Sequence, residues 1–189
     1  MQLIWKQPDN TLAVTILSDE VLVDGFDVSD YAGHLVTIGV VPVSWQLIGV
    51  DIPWPESSWK QETYKWDGTQ IIVDIAKAQT EVAERIEIQF KTALTEPVSS
   101  SALGAPHTYQ ADESARNFLN NLVTFGTGGR FACVDAVGVV ERRQHTAEQL
   151  LQVGSDMRAA IETKFDHYES LLEQTAAATT ESQLLNIHW

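Results

Sequence analysis

Apolar and polar positions change rhythm along this chain. Toward the start, short apolar runs are cut by turn residues. Met1–Lys6 and Thr11–Leu17 flank Gln7-Pro8-Asp9-Asn10, which predicts a β-hairpin. Glu20–Val23 and His34–Val43 read as further strands. In the second of these, Val36, Ile38 and Val40 alternate with Thr37 and Gly39, and Pro42 ends the strand or puts it on an edge. From Val43 to Trp59 the period is irregular, and no element is assigned.

The pattern then sharpens. Asp67-Gly68 lies between Tyr64-Lys65-Trp66 and Thr69–Val73, a signal for a hairpin closed by a type I′ turn. Asp74 is placed to cap a helix. Ile75, Ala78, Val82, Ile86 and Phe90 recur at three- and four-residue steps, so an amphipathic helix is expected over 75–94. Pro97, three serines, Gly104 and Pro106 mark 95–108 as a linker.

Beyond it the rhythm is helical again. Asp112 caps a helix to about Val123, and Gly126-Thr127-Gly128-Gly129 stops it. Arg130–Val134 and Val139–Arg143 read as two strands around Asp135–Gly138. Thr146 with Gln149 has capping-box spacing, and Leu150, Val153, Met157, Ile161, Phe165, Tyr168 and Leu172 then form one stripe of a long helix. Thr180 with Gln183 repeats the box before a short last helix. That helix is expected to fold back on the long one as an αα-hairpin, with Leu184, Leu185, Ile187 and Trp189 docked. The fold class expected is α+β. A β-rich domain, 1–94, ends in its helix, and a smaller α-β-hairpin-α-α domain covers 109–189.

Composition narrows the function classes. The 189 residues carry a net charge of −14, with 44% hydrophobic residues, as in an ordinary globular chain. Such acidity argues against nucleic acid and against anionic membranes as partners. The acidity is greatest over residues 1–74, where three Lys/Arg face eleven Asp/Glu. Asp19, Glu20, Asp24, Asp27 and Asp30 could gather Ca²⁺, but they lack the D-x-[DN]-x-[DN]-G spacing, so no metal is expected. The single cysteine, Cys133, excludes an intrachain disulfide and reads as a small buried hydrophobe. The start, MQLIWKQPDN, carries no secretory pattern, and no apolar run approaches a membrane span. Synthesis in the cytoplasm without membrane insertion is expected.

Candidate chemistry is sparse. The chain has no G-x-S-x-G, H-E-x-x-H, Walker loop or G-x-G-x-x-G. Gly126–Gly129 follows a helix, the reverse of what a phosphate loop needs. His34, His107, His145, His167 and His188 are scattered and read as loop or surface residues. Glu162 and Asp166 share a solvated helix face. No catalytic residue, cofactor or enzymatic activity is expected. The distinctive cluster is aromatic: Trp45, Trp54, Trp59 and Trp66 fall within 22 residues, with Tyr64 among them. Burial in a small core is the ordinary reading, and a platform for a glycan or a protein partner is the alternative.

Two stretches carry a resemblance. Tyr64–Gln79, YKWDGTQIIVDIAKAQ, is similar to a segment of tailed-bacteriophage tail proteins in which an aromatic-x-Trp-x-Gly strand pair leads into a V-D-x-x-K-A helix. Residues 108–189 resemble a domain-of-unknown-function family at the C-terminus of phage tail and tail-fibre-related proteins. The matching positions are Tyr109, Asp112, Ser114, Arg116, Asp135, Thr146, Thr179, Leu184 and the closing Ile187-x-Trp189. Phe131 stands where Trp is usual, and Arg142-Arg143 replaces a more apolar run. The resemblance brings over no catalytic residues. It implies a virion structural protein of the tail fibre, tail tip or an adaptor, in contact with other tail proteins and with copies of itself, a trimer among the arrangements. A fibre-assembly chaperone absent from the particle is the alternative, and a glycan-binding tail protein a lesser one.

Overall fold

The computed structural model describes residues 2–16, 21–24, 27–30, 46–56 and 58–189. The expected strand over His34–Val43 and Trp45 lie outside them. The fold is α+β, with helices concentrated in the C-terminal part. Two compact units divide the chain, one of 1–82 with 178–186, the other of 83–177 with 187–189.

In the first unit, β1 (Gln2–Lys6) pairs antiparallel with β2 (Leu12–Ile16) and, on its other side, with β5 (Gln46–Val50). The turn between β1 and β2 closes on Asp9, whose Oδ1 accepts from Thr11 N–H at 3.0 Å and from its hydroxyl at 2.6 Å. Asn10 takes the left-handed backbone that turn needs, at φ 67°. β3 (Val21–Asp24) and β4 (Asp27–Asp30) form a separate hairpin. β6 (Tyr64–Trp66) pairs with β7 (Ile71–Val73), Trp66 opposite Ile71. The turn between them differs from the expected two-residue type I′. Its loop is four residues, and only Gly68 has positive φ, at 115°. The Asp67 carboxylate takes over the turn by accepting from Thr69 N–H at 2.8 Å and Gln70 N–H at 2.9 Å.

Helix α1 (Ile75–Ala93) starts at Asp74, which accepts from Ala76 N–H at 3.2 Å, and buries Ala78, Val82, Ile86, Phe90 and Ala93. The boundary between the units falls within this helix, not in 95–108. That segment, expected as a linker, carries β8 (Val98–Ser100) and part of β9 (His107–Tyr109). Val98, Ser100 and His107 are buried, so the Ser- and Pro-rich composition marks the turn between two short strands.

In the second unit, Asp112 caps α2 (Glu113–Phe125) through Ala115 N–H at 2.9 Å, and Gly126 ends it in the left-handed conformation. β10 (Gly129–Val134) and β11 (Val140–His145) complete a four-stranded antiparallel sheet of order β11-β10-β9-β8. Gly128 is required where it stands: its φ is 69°, and a Cβ there would lie 2.5 Å from the His145 carbonyl. The Thr146–Gln149 box opens α3 (Ala147–Ala177), about 46 Å long. Leu150, Val153 and Met157 of α3 close a core with Tyr109, Leu119, Phe131 and Cys133. Further along, Leu171 and Thr175 are buried, while Phe165 of the expected stripe is exposed. The last helix, α4 (Glu181–Leu185), has the expected capping box, with both of its reciprocal bonds. It groups with the first unit, whereas the αα-hairpin reading paired it with α3.

Candidate functional site

The aromatic cluster was the first candidate. Trp59 and Tyr64 are buried, so neither offers a platform to a ligand. Their polar tips are used internally: Trp59 N–H donates to the Tyr64 hydroxyl at 3.2 Å, and the Trp59 indole N–H donates to Glu181 at 2.8 Å. Trp54 meets Tyr64 edge to face, with ring centroids 5.0 Å apart. Trp54 and Trp66 are half-buried. Trp54, Trp59 and Tyr64 contact one another, and Trp59 also reaches α4, so sequence proximity reflects a packed cluster more than a displayed surface.

The end of the chain is held at several points. Leu184 and Ile187 are buried, and Trp189 is half-buried. Within the second unit its ring lies 5.9 Å from that of Phe90 and 4.9 Å from that of His167, and the Ile187 carbonyl accepts from Arg85 at 3.1 Å. Leu185, expected to dock with these residues, is 42% exposed. On a five-residue helix, adjacent leucines cannot share one face.

A second constellation escaped the sequence reading. His107 and His145 are not surface residues: they are 6% and 1% exposed on the four-stranded sheet. His107 Nδ1 lies 2.8 Å from the Ala105 carbonyl, and its Nε2 lies 3.0 Å from an Arg143 Nη1. A carbonyl only accepts and a guanidinium only donates, so these two contacts call for an Nδ1–H donor and an Nε2 acceptor. His145 Nδ1 likewise donates to the Arg143 carbonyl at 2.8 Å, and its Nε2 lies 3.0 Å from the Tyr109 hydroxyl. Arg143 continues the network to Asp135 at 2.7 Å. Its Nε lies 3.4 Å from Glu141, close enough for ion pairing but not aligned for a hydrogen bond.

Burial sets the electrostatics here. It pushes the Tyr109 hydroxyl up to about 12 and raises the Cys133 thiol, which shares the same core cluster. It lowers His145 below its ordinary value. A thiol raised and enclosed in this way is not poised as a nucleophile. Period-two spacing was the available signal, since His107 and Tyr109 alternate with Thr108, and Arg143 and His145 with Gln144.

The outer surface of the second unit carries apolar side chains. Val137 is 84% exposed and Val140 73%, with Val139 also exposed, at the tip and start of the β10–β11 hairpin. A groove of about 740 Å³ runs between α2 and α3, lined by Leu119, Val123, Leu151, Ile161 and Phe165, with the Arg158–Glu162 pair at its edge.

Asp24 pairs with Asp27 across the β3–β4 hairpin, with Asp30 at its other end, and Asp19 and Glu20 lie outside the described residues. Among the described residues, no group of three or more His, Cys, Asp or Glu side chains is arranged to hold a metal ion. No helix among them is long and apolar enough to cross a membrane. No protein-family model, curated protein or solved structure matches the chain.

Proposed function

We propose that this chain is a non-enzymatic structural component of a tailed-phage virion, in the tail fibre, tail tip or an adaptor, acting through protein–protein contacts. The observation that carries the reading is the apolar run of Val137, Val139 and Val140, which is exposed on the β10–β11 hairpin. Exposed apolar residues clustered on a braced scaffold suit a partner subunit. The positions behind the tail-protein resemblance fit a scaffold role as well. Tyr109 is buried, Asp112 and Thr146 cap helices, Asp135 closes a hairpin, and Leu184 and Ile187 are buried. Each holds the fold, and none is arranged around a reacting centre. Other tail proteins and further copies of this chain are the partners in this reading, and the virion tail is its location.

The test is mass spectrometry of purified particles with copy number. A stoichiometric signal in multiples of three or six supports a tail component. Absence from particles despite abundance in infected cells overturns it in favour of the fibre-assembly chaperone.

A further inference from the structure

The four-stranded sheet is two hairpins joined at a thin seam. Strand β8 pairs with β9 over three residues and β10 with β11 over six. Between the hairpins, β9 meets β10 in a single backbone pair, Thr108 with Val134. Two side-chain bridges cross between β9 and β11 where backbone pairing is missing: His107 to Arg143 at 3.0 Å and Tyr109 to His145 at 3.0 Å. In the first, an imidazole Nε2 must be the acceptor.

We propose that this seam is a proton-operated latch, in which protonation of His107 and His145 releases the β8–β9 hairpin from the β10–β11 hairpin while the helices stay folded. This inference is independent of the virion reading.

The chemistry is most direct at His107. A proton on Nε2 sets an N–H against the Arg143 N–H, so imidazolium and guanidinium meet as like charges and the bridge breaks. Glu141 and Asp135 are the carboxylates turned toward this pair. Hydrogen bonds, first from Val139 N–H, with Val137 N–H and Arg143 also contributing, hold Asp135 below its ordinary value, so it stays ionised and keeps Arg143. His145 faces Tyr109 from β9 and the Phe131 ring from β10, with His107 within electrostatic reach, and Asp156 of α3 is within electrostatic reach of Tyr109. Burial disfavours its charged form. The unfolded chain therefore takes the proton first. Stability from His145 is complete above its unfolded value of about 6.5 and is lost as pH falls from there through the lower folded value.

Cys133, the single cysteine of the chain, lies buried beside Tyr109 and reports on opening. The full-length protein is labelled with 4,4′-dithiodipyridine from about pH 7.5 to about pH 5.5, against a cysteine peptide at each pH. The latch predicts that relative labelling rises about tenfold with unchanged helical circular dichroism. His107→Gln, whose amide oxygen still accepts from Arg143 but does not titrate, should reduce the rise and leave the part that His145 contributes. Flat wild-type labelling overturns the proposal, as does an undiminished rise in His107→Gln, or helix loss in step with labelling. If the variant does not fold, imidazole ¹H–¹⁵N spectra of the wild type decide. Neutral Nδ1–H forms that disappear as labelling begins support the latch, and a His107 imidazolium with Cys133 still protected overturns it.

Discussion

In the first unit, Asp67 turns β6 into β7; in the second, Asp135 turns β10 into β11. Both carboxylates accept two backbone N–H groups of their own loop, Thr69 and Gln70 in one case, Val137 and Val139 in the other. Both are held below the ordinary carboxylate value, chiefly by a backbone hydrogen bond, from Gln70 and from Val139 respectively. The difference lies in what surrounds the turn. Asp67 spends its remaining contact on the Thr69 hydroxyl, and its loop is polar. Asp135 uses its second oxygen on Arg143, which reaches His107, so this turn is tied to the sheet behind it. Its tip carries valines that the fold leaves uncovered. Similar turn chemistry therefore yields one hairpin finished within itself and one braced from behind with an apolar front.

The largest expected effect comes from the core beneath the braced hairpin. Leu150 is fully buried in the cluster that holds Phe131 and Cys133 of β10. Leu150→Ala should cost about 2–5 kcal/mol, the transfer term plus the cavity left behind, read from urea unfolding. A loss below about 1 kcal/mol would mean that this core relaxes freely, and the bracing argument would fail.

An intermediate effect separates the two aspartates. Asp135→Ala removes the turn acceptor and also leaves Arg143 without its 2.7 Å partner, whereas Asp67→Ala removes only the turn acceptor. Thermal unfolding near neutral pH should show the clearly larger fall in Tm for Asp135→Ala. The pH dependence has a fixed sign. Each carboxylate is depressed in the folded state, so its contribution is present above about 3.8 and is lost as pH falls through the lower folded value. The gap between each variant and the wild type should therefore close in acid. Equal shifts at neutral pH would erase the distinction between the hairpins.

The contrast also explains what could be read from the sequence. The helices, their caps at Asp74, Asp112, Thr146 and Thr180, and the hairpins at Asp67 and Asp135 were legible because each depends on residues within a few positions of one another. β8 and β9 were not, since an alternation only three residues long in a Ser- and Pro-rich stretch is too short to separate a strand from a turn. The seam was hidden for another reason. His107 and Arg143 stand 36 residues apart, as do Tyr109 and His145, and only the pairing of strands brings them together. Leu171 is buried where the expected stripe had Leu172, because it stands five full turns of helix after the buried Val153.

The smallest effect on stability should carry the most information about function. Val137 and Val140 are exposed, so a Val137→Lys/Val140→Lys double variant should leave unfolding within about 0.5 kcal/mol of wild type. If the valines are the contact with a partner subunit, the same variant should fail to incorporate into particles, because two ammonium groups would be stranded in an apolar interface. Thr69→Lys on the polar hairpin is the control, an exposed residue on a similar turn, with one added charge against two. Incorporation lost in the double variant and kept in Thr69→Lys would place the contact on the braced hairpin. Incorporation kept in both would make the valines ordinary exposed residues and move the search to the groove between α2 and α3. Loss in both would point to added positive charge as the cause, and the comparison of the two hairpins would then say nothing about binding.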